Sequence, residues 1–449
     1  MKIDLGHSLM FVGVLAISSL AVADAPSAQL LQNIRDEQSS LVFEMPRGES
    51  LYYSQDPRYQ PAAQNDFAIR SYWVPAETSH VLTSLDDVPP AIEKFFVRHT
   101  GDQTWVKYLV HPESEDYYRD FLRGAEFAGT LQATPTASSR TLLAWDEEAR
   151  GLPPFFAKLS LDRDITNLVR TISREEVARS IGQDMILHAN RAFLPENFSY
   201  MREVIGLSPK SMERGGMIIR LVAPELETSR VMPYYGFFKK EASGELVIER
   251  MIRESGESPE TFLRERSFVP FVREWFELAV SIGETMNPHG QNLNAILDEQ
   301  GLPTGRFLHK DLGDFTPNLK HIARAGIFDP ARLPVITTLA DDYRQSEWEN
   351  ELFRSLDGDF RDRFTVALNR RAFDLPDSLI GRMPILPSAI FDETVTEVIT
   401  RDYGVKAKSK NDFAFNFFAA VQQEQRHLQK RFAQEKCRVL MKRVHAAAI

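Results

Sequence analysis

Cysteine is almost absent from this chain: Cys437 stands alone among 449 residues. An intrachain disulfide framework is therefore excluded, and so is a cysteine-rich zinc site. Positive charge is not in excess either. A net charge of −10 excludes a nucleic-acid partner held by bulk electrostatics, while leaving a local basic pocket open. Long apolar runs are scarce. The stretch from Leu9 to Val22 falls short of the roughly 20 residues a spanning helix needs, and no other segment comes closer, so no stable membrane span is expected. The common site motifs are missing as well: no G-x-x-x-x-G-K-S/T loop, no G-x-G-x-x-G fingerprint, no G-x-S-x-G elbow and no H-E-x-x-H pair. The chain has 10 histidines, and none pair at metal-ligand spacing on a convincing helix.

What is present begins with an ordinary globular composition, 43% hydrophobic and 26% charged, long enough for two or three domains. Lys2, the apolar run and the small residues of Ala21-Val22-Ala23-Asp24-Ala25 have the layout of a secretory signal peptide over residues 1–25. That predicts export to the periplasm; a mis-assigned start or an uncleaved segment would instead leave the protein cytoplasmic. Residues 26–65 are polar and predict loop-rich structure. Trp105–Val110, Phe155–Leu161 and Met217–Val222 read as strands, Ile92–Val97 as a helix, and Thr134–Ser139 as a turn. Ser173-Arg174-Glu175-Glu176 is a capping box that starts a helix running through Ile181 and Met185. Apolar residues from Phe268 to Met286 fall at helical spacing, and a strand pair follows across Asp298–Gly301. Beyond Pro330 the pattern is mostly helical. The basic run from Arg426 to Arg443 reads as a solvated helix face.

Three polar clusters interrupt apolar strands. Ser138-Ser139-Arg140-Thr141 places hydroxyls and a guanidinium in one turn; it fits a plain turn, or a phosphate site, since the arginine fork matches phosphate oxygens. Lys158 enters a buried strand and must find a partner or snorkel; Arg170 follows twelve positions later. The two are either surface cations or the two sides of a pocket for a polyanion. His289-Gly290-Gln291-Asn292 ends a turn before the strand pair that closes at His309-Lys310-Asp311-Leu312-Gly313-Asp314. His289 suits oxyanion or proton work. Gln291 and Asp311 suit a hard cation such as Mg²⁺ through their oxygens. The bland alternative is a hairpin with satisfied polar ends.

In order and spacing, these clusters resemble the NRPS-independent siderophore synthetases, the aerobactin-synthetase-like family. The resemblance rests on Val110-His111-Pro112, on Ser138, Arg140 and Thr141, on Lys158-Leu159-Ser160-Leu161 leading to Thr166 and Arg170, on Ile218-Ile219-Arg220, on His289 to Asn292, and on Lys310 to Gly313. It covers about residues 105 to 410, with Val405-Lys406-Ala407 as a late match. It implies an α+β, multi-lobed thumb–fingers–palm-like architecture. A mixed or antiparallel sheet lobe and a largely helical C-terminal lobe would enclose a substrate cleft. The expected lobes are a reduced N-terminal lobe at 26–100, a fingers-like lobe at 101–240 and a palm-like lobe at 241–449. The implied function is an ATP-dependent ligase that adenylates a citrate-like polycarboxylate and condenses it with an amine or hydroxyl, possible as a homodimer. By the same resemblance Ser138, Arg140, Thr141 and Lys158 would bind ATP, and Thr166, Arg170, His289 and Lys406 the carboxylate. Arg170 and His289 would act in catalysis, and Gln291 and Asp311 would hold Mg²⁺.

The chain also departs from that family. No H-P-x-H-P-x-x-K-type motif precedes residue 105. Asn287 stands where the family has a glutamate, which removes a negative ligand from the Mg²⁺ site. Asn167 replaces a serine, and Lys310 an arginine, which loses bidentate geometry. ATP is scarce outside the cytoplasm, so a cleaved signal peptide would fit an alternative: an exported, catalytically degenerate member that binds a siderophore or carboxylate.

Overall fold

A computed structural model describes residues 25–40, 55–84, 88–149, 151–165, 168–286, 289–318, 321–322, 364–404 and 419–427. The signal-like segment, Asn167, Thr166, Asn287, Lys406 and Cys437 lie outside them. The architecture is α+β, with a large curled antiparallel sheet and helices. Among the described residues that sheet has nine strands: β1 (Phe67–Pro75), β2 (Ser79–Thr83), β3 (Val97–Thr100), β4 (Gln103–Val110), β5 (Glu126–Pro135), β6 (Thr141–Trp145), β7 (Phe155–Leu159), and, further along, β11 (Glu203–Pro209) and β12 (Met217–Leu221). The short hairpin β8 (Leu161–Ile165) and β9 (Leu168–Arg170), and β10 (Phe198–Tyr200), lie between β7 and β11 in sequence. The spatial order is β2-β11-β12-β7-β6-β5-β1-β4-β3. A second, four-stranded sheet joins β10 to β16 (Pro303–His309), β15 (Leu293–Leu297) and β13 (Arg230–Pro233). A small pair, β14 (Glu284–Met286) with β17 (Phe315–Pro317), completes the strands.

The central strands are apolar throughout because both faces of the sheet are covered. Successive side chains of a strand point to opposite faces, and the two sets enter different cores. Leu142, Ala144, Phe155, Ala157 and Leu159 join Tyr108, Val204 and Ile219 on one face. Leu143, Trp145 and Phe156 join Leu30, Ile34, Val231, Ile296 and Leu308 on the other. That second core glues the large sheet to the four-stranded one. By the same alternation Lys158 and Arg220 share the face of Phe156 and Ile218, turned toward the second sheet and toward helix α3 (Arg174–Ala189).

Several elements follow the sequence pattern closely. The expected strand at 105–110 lies within β4, that at 217–222 forms β12 except for its last residue, Val222, and the helix expected at 92–97 is α2 (Pro90–Phe96), with Val97 opening β3. Ser173 caps α3 as predicted: its side chain accepts from the Glu176 amide, and Glu176 accepts from the Ser173 amide. Two expectations need correction. Residues 26–65 are not simply loop-rich, because Ala28–Ser40 forms helix α1. Its apolar content is only a narrow stripe. Leu30 and Ile34, four apart, are buried at 0% and 2% exposure, and each contributes roughly 1.5–3 kcal/mol. Asn33, Glu37 and Gln38 are buried too, because distant polar groups receive them. The helix expected from Phe268 to Met286 is shorter, spanning Val269–Ser281, after a π-helical turn at Arg264–Phe268. Gly283, at φ +71°, turns the chain, and Glu284–Met286 becomes a strand.

The C-terminal part packs α5 (Val247–Ser255), α6 (Pro259–Leu263), this seventh helix, α8 (Val366–Asp374) and α9 (Pro387–Tyr403) around Trp275, Phe268, Phe271 and Phe391. Between α3 and α5 lies the short α4 (Pro224–Thr228). Among the described residues no helix is long and apolar enough to cross a membrane.

Candidate anion-binding site

The polar clusters come together where the large sheet meets the end of β16. β6 and β7 are in register, with Thr141 opposite Lys158. The turn Thr136–Arg140 before β6 is closed by Thr141 N–H donating to the Ser138 carbonyl (2.9 Å) and Thr136 N–H donating to the Thr141 carbonyl (2.8 Å). This fixes Ser138, Arg140 and Thr141 beside Lys158. Arg140 reaches across and donates through Nη1 to the Arg170 carbonyl (3.2 Å) at the end of β9. Ser160 locks the intervening hairpin, accepting from Ile172 N–H and donating to the Gly216 carbonyl, both at 2.8 Å. The Ser-x-Arg-Thr turn, the Lys158 strand and Arg170 thus form one structural unit.

Asp311 enters from the second sheet. Lys158 Nζ donates to its Oδ1, and Arg220 Nη2 donates to the same oxygen at 3.1 Å. Arg220, 3% exposed, also pairs through Nε with Glu203 Oε1 at 2.5 Å; Glu203 lies opposite it on β11 and is wholly buried. Burial alone would raise the Asp311 pKa, but Lys158, Arg220 and Arg140 outweigh it and hold the carboxyl well below the usual carboxylate range. Burial draws the Arg140 pKa downward, opposed by Asp311 and Glu176. For Arg220, Glu203 and Asp311 overcome the same desolvation, and its pKa rises. Asp311 sits at φ +66°, ψ +69°. Among the described residues only it and Gln64 hold positive φ without being glycine. Left-handed backbone on a side chain held by two cations marks a spot where the surrounding structure maintains strain.

The His289 turn reaches the same place through Asn292. Asn292 Nδ2 donates to Asp314 Oδ2 (2.9 Å), and Lys310 N–H donates to the Asn292 carbonyl (3.1 Å). Gly290 is required here, since a Cβ would lie 2.5 Å from the Tyr235 ring. That ring stands edge-on to His289, with its hydroxyl 3.4 Å from Nε2. Gln291 N–H lies 3.4 Å from His289 Nδ1, so Nδ1 is the acceptor and the proton belongs on Nε2. Asp314 keeps an edge open to solvent. The protein mass around it and the Asp311 carboxylate push its pKa up to about 7.

The structure therefore joins Lys158 to Asp311 directly, sets the Arg140 charge beside them with Arg140 bonded to the Arg170 carbonyl, places Ser138 and Thr141 in the same turn, and links the His289–Gln291 turn to Asp314 through Asn292. Thr166 and Lys406 fall outside the described residues. Arg220, Glu203 and Asp314 also belong to the cluster, although no role was expected of them. The signal for Arg220 was an arginine in the apolar run Met217-Ile218-Ile219-Arg220-Leu221: a charge there needs a buried partner. No group of three or more metal-ligating side chains is assembled among the described residues. For Mg²⁺ the donors are sparse but suitable. The ion usually takes one or two carboxylates plus substrate phosphates and water, and Asp311 and Asp314 supply two carboxylates beside the cations.

Residues 49–236 match the family model for the IucA / IucC family. This covers Arg140, Lys158, Arg170 and Arg220. No curated protein matches the chain. Among solved structures, the fold is similar to the ATP-bound aerobactin synthetase IucA from a hypervirulent pathotype of Klebsiella pneumoniae: 17% identity, 88% of this chain, 76% of that one, TM-score 0.58. It is similar also to aerobactin synthetase IucC from the same source: 17% identity, 88% and 74% coverage, TM-score 0.55. At such identity the likeness is one of fold.

Proposed function

We propose, from the match of residues 49–236 to the family model for the IucA / IucC family, that the protein is an ATP-dependent carboxylate–amine ligase of the siderophore-synthetase type. The observation that carries this reading is the meeting of Lys158 and Arg220 at Asp311, with the Arg140 charge beside them and Arg140 bonded to the Arg170 carbonyl. Cations so placed, with Arg170 one hydrogen bond from Arg140, suit a triphosphate and a polycarboxylate such as citrate. A carboxylate oxygen attacks the α-phosphorus of ATP, the bond to pyrophosphate breaks, and an acyl-adenylate forms. An amine or hydroxyl then attacks the acyl carbon, loses its proton and releases AMP.

Lys158, Arg140, Ser138 and Thr141 hold phosphate oxygens in this scheme, because guanidinium and ammonium groups match charge developing on phosphoryl oxygens. Arg170 and His289 Nε2–H steady the carboxylate and then the oxyanion, with Thr166 and Lys406 as further substrate contacts. Asp311, Asp314 and Gln291 would hold Mg²⁺, which supplies charge neutralisation on the phosphates. Support for ATP comes from the ATP-bound aerobactin synthetase of similar fold.

The test is carboxylate-dependent pyrophosphate release over a panel of polycarboxylates. Wild type should release pyrophosphate, and Arg170→Ala and His289→Ala should each abolish release while the fold persists. Wild-type turnover in either variant would remove its assigned role.

A second reading has its own support. The signal-like run ends at Ala23-Asp24-Ala25 and the first described helix starts at Ala28. An exported form, away from ATP, would bind a siderophore or carboxylate without turnover. Cell fractionation with N-terminal sequencing decides: a mature periplasmic form starting near Asp24 favours this reading, and an intact cytoplasmic chain removes it.

A further inference from the structure

Helix α1 precedes the family-matched segment, yet its buried polar face is committed to the candidate site. Glu37, 8% exposed, places one oxygen, Oε1, between two groups from different sheets. Ala137 N–H, in the Ser-x-Arg-Thr turn, donates to it at 3.1 Å; Lys310 Nζ, one residue before Asp311, donates at 2.5 Å. The neighbouring Gln38 donates to the Pro135 carbonyl at 2.5 Å, at the other root of the same turn. One turn earlier Asn33 ties α1 to a different region. It donates to the carbonyls of Leu226 and Ser229 at 2.8 and 2.9 Å and accepts from Val231 N–H at 3.0 Å. The two sets of bonds divide the helix. Asn33 anchors it, and Glu37 spans the gap between the phosphate turn and the strand end that carries Asp311.

We propose that Glu37 is a positioning residue: by pairing with Lys310 and the Ala137 amide it fixes the Ser138–Thr141 turn relative to Asp311, and so sets the affinity for nucleotide phosphates. A lysine ammonium has no fixed fork of donors, so at Lys310 a single carboxylate oxygen with a second anchor supplies the orientation. Glu37 does not touch substrate; it acts through the turn and through Lys310. This role rests on the nucleotide-binding reading given above, but its structural half stands apart from it.

The experiment uses the full chain and three variants. Glu37→Leu combined with Lys310→Met replaces the pair with apolar groups of similar size, so no buried charge is orphaned. Glu37→Gln keeps an acceptor for Ala137 while removing the charge. Asn33→Ala loosens the anchor alone. ATP affinity is measured by calorimetry, and amide exchange over residues 134–142 by mass spectrometry. The double variant should weaken ATP about tenfold, the scale of one charge-assisted bond, with faster exchange at 134–142 and an unchanged KM for the carboxylate. Glu37→Gln should fall between. Asn33→Ala should lower the unfolding midpoint while ATP affinity stays within about twofold. Wild-type ATP affinity in the double variant, or an equal loss in Asn33→Ala, overturns the proposal. If the wild type binds no ATP, the ligase reading fails and exchange alone decides: faster exchange at 134–142 in the double variant upholds Glu37, and unchanged exchange overturns it.

Discussion

His309 and Asp311 are two residues apart at the end of one strand, and each sits in a buried ionisable cluster, yet the clusters obey opposite rules. His309 Nε2 meets Glu274 Oε1 at 2.7 Å, the two side chains 4% and 0% exposed, with Phe198 stacked on the imidazole at 4.8 Å. Burial pulls the histidine down to about 3 and pushes the glutamate well up, so the pair settles as neutral imidazole and protonated carboxyl. The pair is bonded to itself and sealed in the core, with Glu274 Oε2 left without a hydrogen-bond partner. Around Asp311 the reverse holds. Lys158 and Arg220 both bind Asp311, Arg140 adds its charge, and Arg220 is shared with the buried Glu203. These groups keep their charges, and the cations are what an incoming anion would meet. A buried polar group is thus a poor guide to function; whether its cluster stays charged is a better one.

The largest effect expected from breaking this contrast is at Arg220. Arg220→Met leaves Glu203, wholly buried, without its cation. Removing one partner of a buried pair costs about 3–5 kcal/mol, and urea denaturation should show a loss of that size. Adding Glu203→Leu should recover most of it, because the orphaned charge is gone. Should the single variant match the wild type, the buried pair has another source of solvation and the charge ledger is wrong.

Lys158→Met comes next. Asp311 still keeps Arg220, so stability should fall by no more than about 1–2 kcal/mol. ATP affinity should fall about 100-fold, or about 2.7 kcal/mol, measured by calorimetry with Mg²⁺ present. Equal losses in stability and affinity would put Lys158 with the structural pair.

How far this contrast was legible in the sequence depends on the range of the interactions involved. Ser173 with Glu176, and the strand-like run Trp105–Val110, are local, and their structures followed from pattern alone. Lys158 and Arg220 were visible as charges in apolar strands, but their common partner lies 153 and 91 residues away, a distance that no periodicity encodes. Helix α1 was missed for a related reason. Asn33, Glu37 and Gln38 read as solvated polar residues until groups near 135, 226 and 310 are folded against them. The His309–Glu274 pair gave no signal at all, because a lone histidine ending an apolar strand looks the same whether it serves a site or a core.

Glu274→Gln sharpens the structural side. A glutamine keeps the shape of the protonated glutamate and one hydrogen bond to His309, so the cost should be about 1 kcal/mol or less in chemical denaturation. ATP affinity should be unchanged. A tenfold loss of affinity would mean that the pair is coupled to the site after all.

The smallest effect expected is a pH dependence at Asp314. Its pKa, about 7 in the folded chain against 3.8 for the free side chain, lies above the unfolded value. The folded state therefore binds the extra proton between those limits, and stability contributed by the protonated form is lost as pH rises from about 4 to 7. Binding runs the other way. Deprotonation adds a carboxylate for Mg²⁺ beside Asp311, so Mg²⁺-dependent ATP affinity should climb a few-fold as pH passes through 7. Asp314→Asn keeps a hydrogen bond with Asn292, removes the titration and should flatten the slope. Measured without Mg²⁺, the sign should invert, since a new negative charge beside Asp311 then only repels the phosphates. A slope that keeps the same sign with and without the metal would place Asp314 outside the site and leave Asp311 alone to face Lys158 and Arg220.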